Sequence, residues 1–461
     1  MQYDVVVIGS GPGGYVAAIR ASQLGMKTAV VEKAELGGIC LNWGCIPTKA
    51  LLKSAQVIEY AQHAAEYGVE IQGEIKPDIT KVVERSRAVA AGMSKGVDYL
   101  LKKNKVDVIQ GFGKLIAKDS VEVSSDNGDK QTITAKHIIL ATGARSRVLP
   151  SMPIDGKKII GYRQALVPDH CPKSMVVVGS GAIGSEFAYF YNAMGTQVTL
   201  VEYLPNIVPL EDDEVSAQLS RSFRKAGIKV MTGASVESVD TSGDLCKVNI
   251  QTKKGVETVE CEIVLSAVGI TPNLEGLGLE ELGIVVEKGR CKVDESYRTN
   301  VEGIYAIGDI IHTQALAHVA SAEAIACVEK IAGMDVKPIN YNNIPGCTYT
   351  TPEVASTGIT ERAAKEQGLE IKVGKFPFTA SGKASAAGAR DGFIKLIFDA
   401  NTDELLGAHM VGANVTEMIG GVIMARNKGV KGHDIIKSVF PHPTMSEAIM
   451  EAAAAAHGEV I

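Results

Sequence analysis

The stretch DVVVIGSGPGG, residues 4–14, decides the fold of this 461-residue chain. Asp4–Ile8 is an apolar run of strand length, and three glycines follow it in the spacing G-x-G-x-x-G: Gly9, Gly11 and Gly14. A helix begins there, a second strand is predicted over Thr28–Val31, and Glu32 comes directly after that strand. This order of strand, glycine turn, helix, strand and acid predicts a Rossmann-like dinucleotide-binding unit.

The residue types in this turn suit a dinucleotide. Glycines let the backbone approach a pyrophosphate at the helix N-terminus, where free N–H groups and the helix dipole favour an anion. Glu32 is placed to accept hydrogen bonds from a ribose. A glycine-rich turn without a ligand is the alternative, but the complete strand–helix–strand context favours a binding site.

The same pattern recurs 170 residues later. Met175–Val178 is again an apolar strand, and the residues after it repeat the first fingerprint at matching positions: Gly179, Gly181, Gly184, Gly195 and Glu202. The ends match as well, since ILATG at residues 139–143 resembles LSAVG at residues 265–269. Two fingerprints in register predict two dinucleotide sites, the second inserted after the first.

The acid of the second fingerprint bears on the choice of cofactor. Glu202 can bond a ribose 2′-hydroxyl but repels a 2′-phosphate, and the following Tyr203–Pro205 contains no arginine. The sequence therefore favours NAD(H) over NADP(H) at the second site.

The stretch GGICLNWGCIPTKAL, residues 37–51, holds Cys40 and Cys45, which are separated by four residues. In a regular helix such positions lie about 8 to 9 Å apart, whereas the Cα atoms of a disulfide are about 4.4 to 6.8 Å apart. A bridge therefore needs a distorted turn, which Gly44 can supply and Pro47 can close at the start of a helix. A redox-active disulfide and two unpaired thiols both remain open on spacing alone.

The rest of the chain reads as alternating helices and strands. Apolar spacing predicts two long helices, over Lys49–Tyr67 and Ile79–Lys103, followed by a strand over Val106–Gln110. Alternation predicts an antiparallel ribbon over Val121–Ile133, with a turn at residues 126–128, and a separate buried strand over His137–Ala141. A later apolar strand within Ser296–Asp309 ends on a glycine and an acid, which is either a site element or an ordinary capped turn.

The last part of the chain, Tyr341–Ile461, has no glycine fingerprint and is predicted to be an association domain. A strand is predicted over Phe393–Phe398, and helices over Thr416–Ala425 and Met445–Ala456. Within FPHPTMSE, residues 440–447, His442 lies between two prolines and could act as an acid or base oriented by Glu447. Thr444–Glu447 also fits a T-x-x-E capping box, and the two interpretations are compatible.

Composition narrows the class of protein. A net charge of −6 without a basic arm argues against nucleic acid as a partner, and no apolar run reaches the ~18 residues of a membrane span. Eight scattered cysteines do not form a secreted disulfide framework. The chain enters its first strand within a few residues of Met1, so a cytoplasmic location is the default expectation. We assign no metal site from the sequence.

Taken together, the two fingerprints, GGICLNWGCIPTK and HPTMSE resemble the pyridine nucleotide-disulfide oxidoreductases over essentially the whole chain. The resemblance implies an α/β fold with two Rossmann-like dinucleotide-binding domains, for FAD and NAD, plus a C-terminal α+β dimerisation domain. The expected boundaries are 1–147 for the first part of the FAD domain, 148–270 for the NAD domain, 271–340 for the segment completing the FAD domain, and 341–461 for the interface domain.

The resemblance also implies the residues that hold the cofactors. FAD is expected on the following residues: Gly9, Gly11, Gly14, Glu32, Lys33, Lys49, Gly113, Asp309 and Ala317. NAD is expected on the following residues: Gly179, Gly181, Gly184, Glu202, Val236 and Gly269. One departure concerns Ile270, which stands where many relatives have arginine, so a cationic contact on the NAD side is missing.

The activity implied by the resemblance is oxidation of protein-bound dihydrolipoamide through a Cys40–Cys45 disulfide, with electrons passing to NAD⁺. Cys40 is expected to exchange with substrate and Cys45 to face the flavin. His442, oriented by Glu447, is the expected base and comes from the second subunit of a homodimer. Lys49 is expected beside the flavin, paired with Glu186.

The implied partner is a lipoylated acyltransferase or lipoyl carrier protein of a 2-oxo acid dehydrogenase complex or the glycine cleavage system. A glutathione reductase is disfavoured, because no cations for a 2′-phosphate stand near Glu202. A flavin-containing electron carrier without disulfide turnover is the alternative from another class. Retention of both cysteines together with His442 and Glu447 argues against it.

Overall fold

The computed structural model describes residues 1–461. Its strands, in chain order, are β1 (Gln2–Ile8), β2 (Thr28–Glu32), β3 (Asp107–Gln110), β4 (Phe112–Ala117), β5 (Ser120–Ser124), β6 (Lys130–Leu140), β7 (Ala144–Ser146), β8 (Ile159–Ile160), β9 (Ser174–Val178), β10 (Gln197–Glu202), β11 (Lys229–Thr232), β12 (Ser235–Asp240), β13 (Cys246–Thr252), β14 (Gly255–Cys261), β15 (Ile263–Ser266), β16 (Ile270–Pro272), β17 (Val286–Glu287), β18 (Arg290–Cys291), β19 (Ile304–Ala306), β20 (Gly346–Thr348), β21 (Glu353–Gly358), β22 (Ile371–Pro377), β23 (Phe393–Asp399) and β24 (Leu405–Gly412).

The helices are α1 (Pro12–Gln23), α2 (Gly38–Trp43), α3 (Cys45–Gln62), α4 (Ile79–Lys103), α5 (Tyr162–Ala165), α6 (Ala182–Ala193), α7 (Asp213–Lys225), α8 (Ala317–Ile331), α9 (Glu361–Glu366), α10 (Gly382–Ala386), α11 (Val415–Asn427), α12 (Gly432–Lys437) and α13 (Glu447–His457). Each of them is too short or too polar to cross a membrane. The expected cytoplasmic location stays a prediction.

The chain folds into two compact units. The first unit consists of Met1–Ala50, Lys81–Arg147 and Ile270–Ile339, and the second of Leu51–Thr80, Val148–Gly269 and Asn340–Ile461. The chain crosses between the units at 50/51, 80/81, 147/148, 269/270 and 339/340. The division into four segments with separate cofactor roles stays a prediction.

A seven-stranded sheet forms the centre of the first unit, in the order β3-β2-β1-β6-β5-β4, with β19 paired to β6. Strand β1 runs parallel to β2 and β6, and its valines are completely buried, as expected for a parallel strand covered on both faces. Ile8 and Ala306 are both level with Leu140, so β1, β6 and β19 end at the same edge. The loops after these three strands therefore meet there.

Strand β6 corrects one sequence prediction. Residues 130–140 form one continuous strand, which pairs antiparallel with β5 in its first half and parallel with β1 further on. The prediction of a ribbon ending at Ile133 and a separate strand beginning at His137 is therefore wrong. No glycine or proline interrupts residues 134–136, so nothing breaks the extended backbone there. The predicted turn before β6 is confirmed, with Gly128 at φ +88°.

The first long helix also differs from its predicted bounds of Lys49–Tyr67. Helix α3 begins at Cys45 and ends at Gln62, and Ala64–Tyr67 forms a short 3₁₀ turn. Pro47 lies in the first turn, where a missing N–H costs no helical hydrogen bond, so the helix starts before it. The second long helix, α4, has the predicted bounds.

A five-stranded parallel sheet in the order β11-β10-β9-β15-β8 lies in the second unit. Val178 at the end of β9 is level with Val201 and Ser266, so the second glycine turn follows the same kind of strand edge as the first. Strands β12, β13 and β14 form a separate antiparallel sheet.

The C-terminal part of the second unit is an antiparallel sheet in the order β20-β21-β24-β23-β22, which helices α11 and α13 cover. Both helices match their predicted positions within two residues. Gly374 in β22 permits close packing of α13, because a Cβ atom there would lie 1.9 Å from the Ala452 carbonyl oxygen.

Candidate active site and nucleotide-binding turns

Each glycine of the first turn has a different structural role. Gly9 has φ +100°, and a Cβ atom there would lie 2.3 Å from the Ala141 carbonyl oxygen. A Cβ atom on Gly14 would lie 1.9 Å from the Gly9 carbonyl oxygen, so this glycine lets α1 pack against β1. At Gly11 no atom lies within 4 Å of the Cβ position. The backbone is thus open at the point where a pyrophosphate would approach the helix N-terminus.

Glu32 holds this turn in place. Its Oε2 accepts hydrogen bonds from the backbone N–H and the hydroxyl of Ser10 at 2.8 and 2.7 Å, and its Oε1 accepts the Ala34 N–H at 2.8 Å. An ionised carboxylate offers about four acceptor sites, so the buried Glu32 retains capacity for a ribose hydroxyl. Sequence reasoning missed Ser10, although a serine stands between the first two glycines of both fingerprints.

Asp309 follows β19 at the same sheet edge, in a short 3₁₀ turn over Gly308–Ile310. Arg290 lies beside it, and its guanidinium donates a hydrogen bond to the Asp309 carbonyl oxygen at 2.6 Å. Burial raises the pKa of Asp309, and the positive charge of Arg290 partly opposes that effect. A half-buried carboxylate at this sheet edge is suited to bind hydroxyl groups of a ligand.

The other residues expected to contact FAD lie in the first unit as well. Gly113 lies in β4, where a Cβ atom would be 3.2 Å from the side chains of Ile8 and Val31. The Nζ atom of Lys33 lies 5.8 Å from the centre of the Phe112 ring. Ala317 is the first residue of α8 and Lys49 lies one turn into α3. Their contacts with FAD stay predictions.

The second glycine turn reproduces the first closely. Gly179 has φ +95° and its Cβ position is 2.4 Å from the Ala267 carbonyl oxygen, whereas the Cβ position of Gly184 is 1.9 Å from the Gly179 carbonyl oxygen. Gly181 again has no atom within 4 Å. This repetition makes the second turn an equally suitable site for a pyrophosphate.

Glu202 repeats the role of Glu32. Its Oε2 accepts the N–H and hydroxyl of Ser180 at 2.9 and 2.6 Å, and its Oε1 accepts the Leu204 N–H at 2.8 Å. Of the other residues expected at the NAD site, Val236 lies half-buried in β12, and Gly269 has φ +105° with no atom within 4 Å of its Cβ position. Their contacts with NAD stay predictions.

The cysteine pair lies at a break between two helices. Cys40 is in α2, which ends at Trp43, and Cys45 is the first residue of α3. Gly44 forms the break, since a Cβ atom there would lie only 3.1 Å from the Ile39 carbonyl oxygen and 3.3 Å from the Cys40 Cα atom. This confirms the predicted distortion at Gly44. Both cysteines are thiols here, and their side chains share a hydrogen bond.

The two sulfur atoms have different surroundings. The hydrogen bond with Cys45 and burial raise the pKa of Cys40 well above the ordinary value, although the Lys49 ammonium opposes this. Cys45 is exposed and stands at the N-terminus of α3, where the helix dipole favours a thiolate. The two sulfur atoms therefore differ, since Cys40 is half-buried whereas Cys45 is exposed at the start of a helix.

Helix α4 braces the cysteine loop through residues that sequence reasoning missed. Arg87 donates a hydrogen bond to the Asn42 carbonyl oxygen at 2.5 Å, and its guanidinium lies 4.2 Å from the centre of the Trp43 ring. Ser94 donates to the Leu36 carbonyl oxygen at 2.9 Å. Arg87 and Ser94 are two helical turns apart, and this spacing in the sequence predicts two polar side chains on one face of the helix.

His442 and Glu447 form the expected pair in the second unit. The Nδ1 atom of His442 lies 2.8 Å from Oε1 of Glu447, and Oε2 of Glu447 accepts the Thr444 N–H at 2.7 Å. The hydrogen bond from the Thr444 N–H lowers the pKa of Glu447, and the hydrogen bond with His442 lowers it further, so the carboxylate is ionised at neutral pH. The His442 side chain is 79% exposed, which leaves its Nε2 atom accessible to a substrate or a second subunit.

The capping box is formed only in part. Glu447 accepts the Thr444 N–H as expected, but the Thr444 hydroxyl donates to the Pro441 carbonyl oxygen at 2.8 Å. Helix α13 is capped at Ser446 instead, without a side-chain hydrogen bond. The prediction of Thr444 as the capping residue is therefore wrong, because its hydroxyl is used within the proline-bounded loop.

Glu186 is buried in α6, and its Oε1 atom accepts the Tyr349 N–H at 3.0 Å. Lys49 belongs to the first unit and Glu186 to the second. The ion pair between them stays a prediction.

Comparison with known proteins identifies the class. Residues 3–324 match the pyridine nucleotide-disulphide oxidoreductase family, and residues 344–453 match the dimerisation domain of that family. The chain therefore belongs to the pyridine nucleotide-disulphide oxidoreductases. The predicted family and fold class are confirmed, and the dimerisation-domain match implies a homodimer.

Individual relatives narrow the assignment. The chain is 50% identical over 477 residues to a dihydrolipoyl dehydrogenase of Rhizobium etli, covering 100% of this chain and 99% of the relative. It is 44% identical over 473 residues to a dihydrolipoyl dehydrogenase of Bacillus subtilis, with coverage of 100% and 99%. The crystal structure of LpdA from Mycobacterium tuberculosis superposes with a TM-score of 0.91 at 29% identity, covering 98% and 99% of the two chains. These full-length similarities confirm the prediction of a flavoprotein disulfide oxidoreductase of the dihydrolipoyl dehydrogenase type.

Proposed function

We propose that this chain oxidises protein-bound dihydrolipoamide to lipoamide through a Cys40–Cys45 redox disulfide and FAD, and reduces NAD⁺ to NADH. The observation that carries the proposal is the pair of hydrogen-bonded cysteine thiols at the break between α2 and α3. Two thiols held in contact at a break between two helices suit the reduced form of a redox disulfide.

The first unit offers a site that fits FAD. The open Gly11 position suits a pyrophosphate, and the remaining acceptor capacity of Glu32 suits a ribose. The half-buried carboxylate of Asp309 suits a polyhydroxylated chain. Lys33, Lys49, Gly113 and Ala317 complete the proposed contacts. Bound there, FAD supplies two-electron transfer between the dithiol and the nicotinamide.

The second unit offers a site that fits NAD. Gly179, Gly181 and Gly184 build the pyrophosphate turn, and Glu202 suits a ribose with a free 2′-hydroxyl. Tyr203 is 74% exposed and no arginine follows it, so a 2′-phosphate finds no cationic partner in that loop. Val236 and Gly269 are proposed as further contacts.

The chain's own groups account for the thiol chemistry. His442 accepts the proton of one substrate thiol at Nε2, while Glu447 holds the ring through Nδ1. The substrate sulfur then attacks Sγ of Cys40, the Cys40–Cys45 bond breaks, and Cys45 leaves as a thiolate. Attack by the second substrate sulfur on the mixed disulfide releases Cys40 and lipoamide. Two electrons leave the dithiol and reach NAD⁺, so the balance is dihydrolipoamide plus NAD⁺ giving lipoamide, NADH and a proton.

We propose that His442 and Glu447 act on the cysteine pair of the second subunit, so that the homodimer is the active form. Lys49 is proposed to pair with Glu186 and to place its ammonium beside the flavin. The partner is a lipoylated acyltransferase or lipoyl carrier protein of a 2-oxo acid dehydrogenase complex or the glycine cleavage system.

Steady-state kinetics of the purified holoprotein test this function. Dihydrolipoamide with NAD⁺ should be turned over, while glutathione disulfide with NADPH should be a poor substrate pair. A flavin electron carrier would oxidise NADH with an artificial acceptor but would not reduce NAD⁺ from dihydrolipoamide. That result would reject the proposal.

A further inference from the structure

Asp403, His433 and His457 come together in the second unit, and none of them has a part in the proposed redox reaction. Each offers one metal-binding atom, and these atoms all lie within 4.8 Å of one another. The residues come from three elements: the turn between β23 and β24, helix α12 and the end of helix α13. We call these three side chains the His–Asp–His cluster.

His457 is fixed with one nitrogen directed at the cluster. Its Nδ1 atom lies 2.8 Å from the Ala453 carbonyl oxygen, which requires the hydrogen to be on Nδ1. Nε2 lies 2.6 Å from Oδ1 of Asp403, where a proton joins the two atoms, and a metal ion would displace that proton. A ring held through Nδ1–H and a backbone carbonyl, with Nε2 left as the ligand atom, is the usual arrangement of a metal-binding histidine.

The surrounding backbone is shaped for this ring. A Cβ atom on Gly432 would lie 2.4 Å from Cε1 of His457 and 3.0 Å from Oδ1 of Asp403. Only glycine therefore leaves room for the imidazole, which is 3% exposed. Phe398 covers another side, with its ring centre 5.4 Å from that of His457. The chain keeps a buried imidazole nitrogen and a carboxylate oxygen in contact at this place.

The second histidine lies on the open side of the cluster. Nδ1 of His433 lies 3.0 Å from Oδ2 of Asp403, and its side chain is 57% exposed. Its other nitrogen, Nε2, lies 3.5 Å from a carboxylate oxygen of Glu459, which can orient the ring from outside. An ion has a path to the cluster from this side, and water can take a further coordination position.

We propose that the His–Asp–His cluster binds a divalent transition-metal ion, with Zn²⁺ as the best match. Two imidazole nitrogens and one carboxylate oxygen form a common zinc ligand set, with a fourth position left to water. The ion would tie the last turn of α13 to α12 and to the β23–β24 turn. The sequence does not reveal this site, since His433 follows Asp403 by 30 residues and His457 follows it by 54.

Metal binding can be measured on the full-length FAD-loaded protein with Cys40→Ser and Cys45→Ser, which removes the thiols that also bind zinc. Equilibrium dialysis against chelator-buffered Zn²⁺ should give one ion per chain. His433→Ala, at an exposed position that leaves the fold intact, should weaken binding on the order of 100-fold. Co²⁺ should give the visible absorption of a four-coordinate nitrogen–oxygen site in the parent and not in the variant.

His63→Ala is the matched control, because His63 is exposed and paired with Glu66 outside the cluster. This variant should bind Zn²⁺ like the parent. Zn²⁺ should also raise the thermal midpoint of the parent and of His63→Ala but not of His433→Ala. Absence of stoichiometric binding at micromolar free Zn²⁺, or equal binding by the His433→Ala variant, would show that the cluster is a hydrogen-bonded clasp without a metal.

Discussion

The two glycine turns of this chain are nearly identical in geometry and differ in the segment that follows them. In both, the first and third glycines meet backbone at under 2.5 Å from the Cβ position, while the middle glycine is open. In both, a buried glutamate bonds the serine of the turn. The turn itself is therefore a general anchor for a dinucleotide and carries no redox chemistry.

The segment packed on each turn makes the difference. On the first turn, the Gly37 N–H donates to the Ser10 carbonyl oxygen at 3.1 Å, and a Cβ atom on Gly38 would lie 2.7 Å from the Gly11 Cα atom. This contact places the start of α2, and with it Cys40, directly beside the turn. On the second turn, the Val208 N–H donates to the Ser180 carbonyl oxygen at 3.1 Å. The segment around Val208 contains no cysteine. The two turns therefore differ in the segment packed on each, and only the segment on the first turn carries the cysteine pair.

Cys45→Ser should separate the two regions most strongly. Loss of the exchangeable disulfide should lower NAD⁺-dependent dihydrolipoamide oxidation at least about 1,000-fold, while NADH should still reduce the flavin. Steady-state turnover measures dihydrolipoamide oxidation, and anaerobic NADH titration measures reduction of the flavin. Cys171→Ser, at a half-buried cysteine bonded to Thr196, is the control and should be active. Lipoamide turnover in the Cys45→Ser protein would overturn the cysteine assignment.

His442→Gln should affect the dithiol side alone. Removal of the base should slow reduction of the enzyme by dihydrolipoamide by about 100- to 10,000-fold, with the NADH reaction unchanged. Stopped-flow measurement of each half-reaction tests this. His312→Gln is the control, because His312 is exposed and bonded only to the Glu287 backbone. Equal losses in both half-reactions of His442→Gln would contradict a role limited to the thiol chemistry.

Gly11→Ala and Gly181→Ala form a matched pair that tests the two turns directly. Both glycines have φ near −60° and no atom within 4 Å of the Cβ position, so alanine fits the folded chain. We expect Gly11→Ala to lose bound FAD, and Gly181→Ala to keep FAD while its KM for NAD⁺ rises roughly 10- to 100-fold. Flavin content by absorbance and steady-state kinetics are the readouts. Loss of FAD in Gly181→Ala, with a raised KM for NAD⁺ in Gly11→Ala, would show that FAD binds at the second turn and NAD at the first.

Glu202→Gln should give the smallest effect and refine the second site. The parent should strongly prefer NADH. Removing one negative charge should lower the ratio of kcat/KM with NADH to kcat/KM with NADPH by about tenfold. Glu32→Gln, the equivalent change at the first turn, should leave that ratio unchanged. Equal efficiency of the parent with NADPH and NADH would remove the basis for assigning NAD.

The sequence predicts the features that depend on local geometry. The first and third glycines of each fingerprint occupy places where a Cβ atom would meet backbone at under 2.5 Å, and Gly44 lies in a tight turn. The acid after each second strand lies in the same short segment. The sequence also predicts Asp309 as a candidate, because it lies three residues after the end of a buried strand. These features need only a short stretch of chain.

Features that depend on distant residues were not predictable in the same way. Ser10 and Ser180 bond acids that are 22 residues further along the chain. Arg87 and Ser94 brace a loop from another helix, and Thr444 directs its hydroxyl to Pro441 instead of capping α13. Tertiary contacts select among several possible hydrogen-bond partners for each such side chain, and the sequence does not rank them.

Anaerobic titration of the FAD-loaded protein with dihydrolipoamide, followed by visible absorption, tests the central claim most directly. We predict a long-wavelength thiolate-to-flavin band that is absent in Cys45→Ser, and formation of NADH when NAD⁺ is then added. A flavin spectrum that dihydrolipoamide leaves unchanged but NADH bleaches would contradict the account.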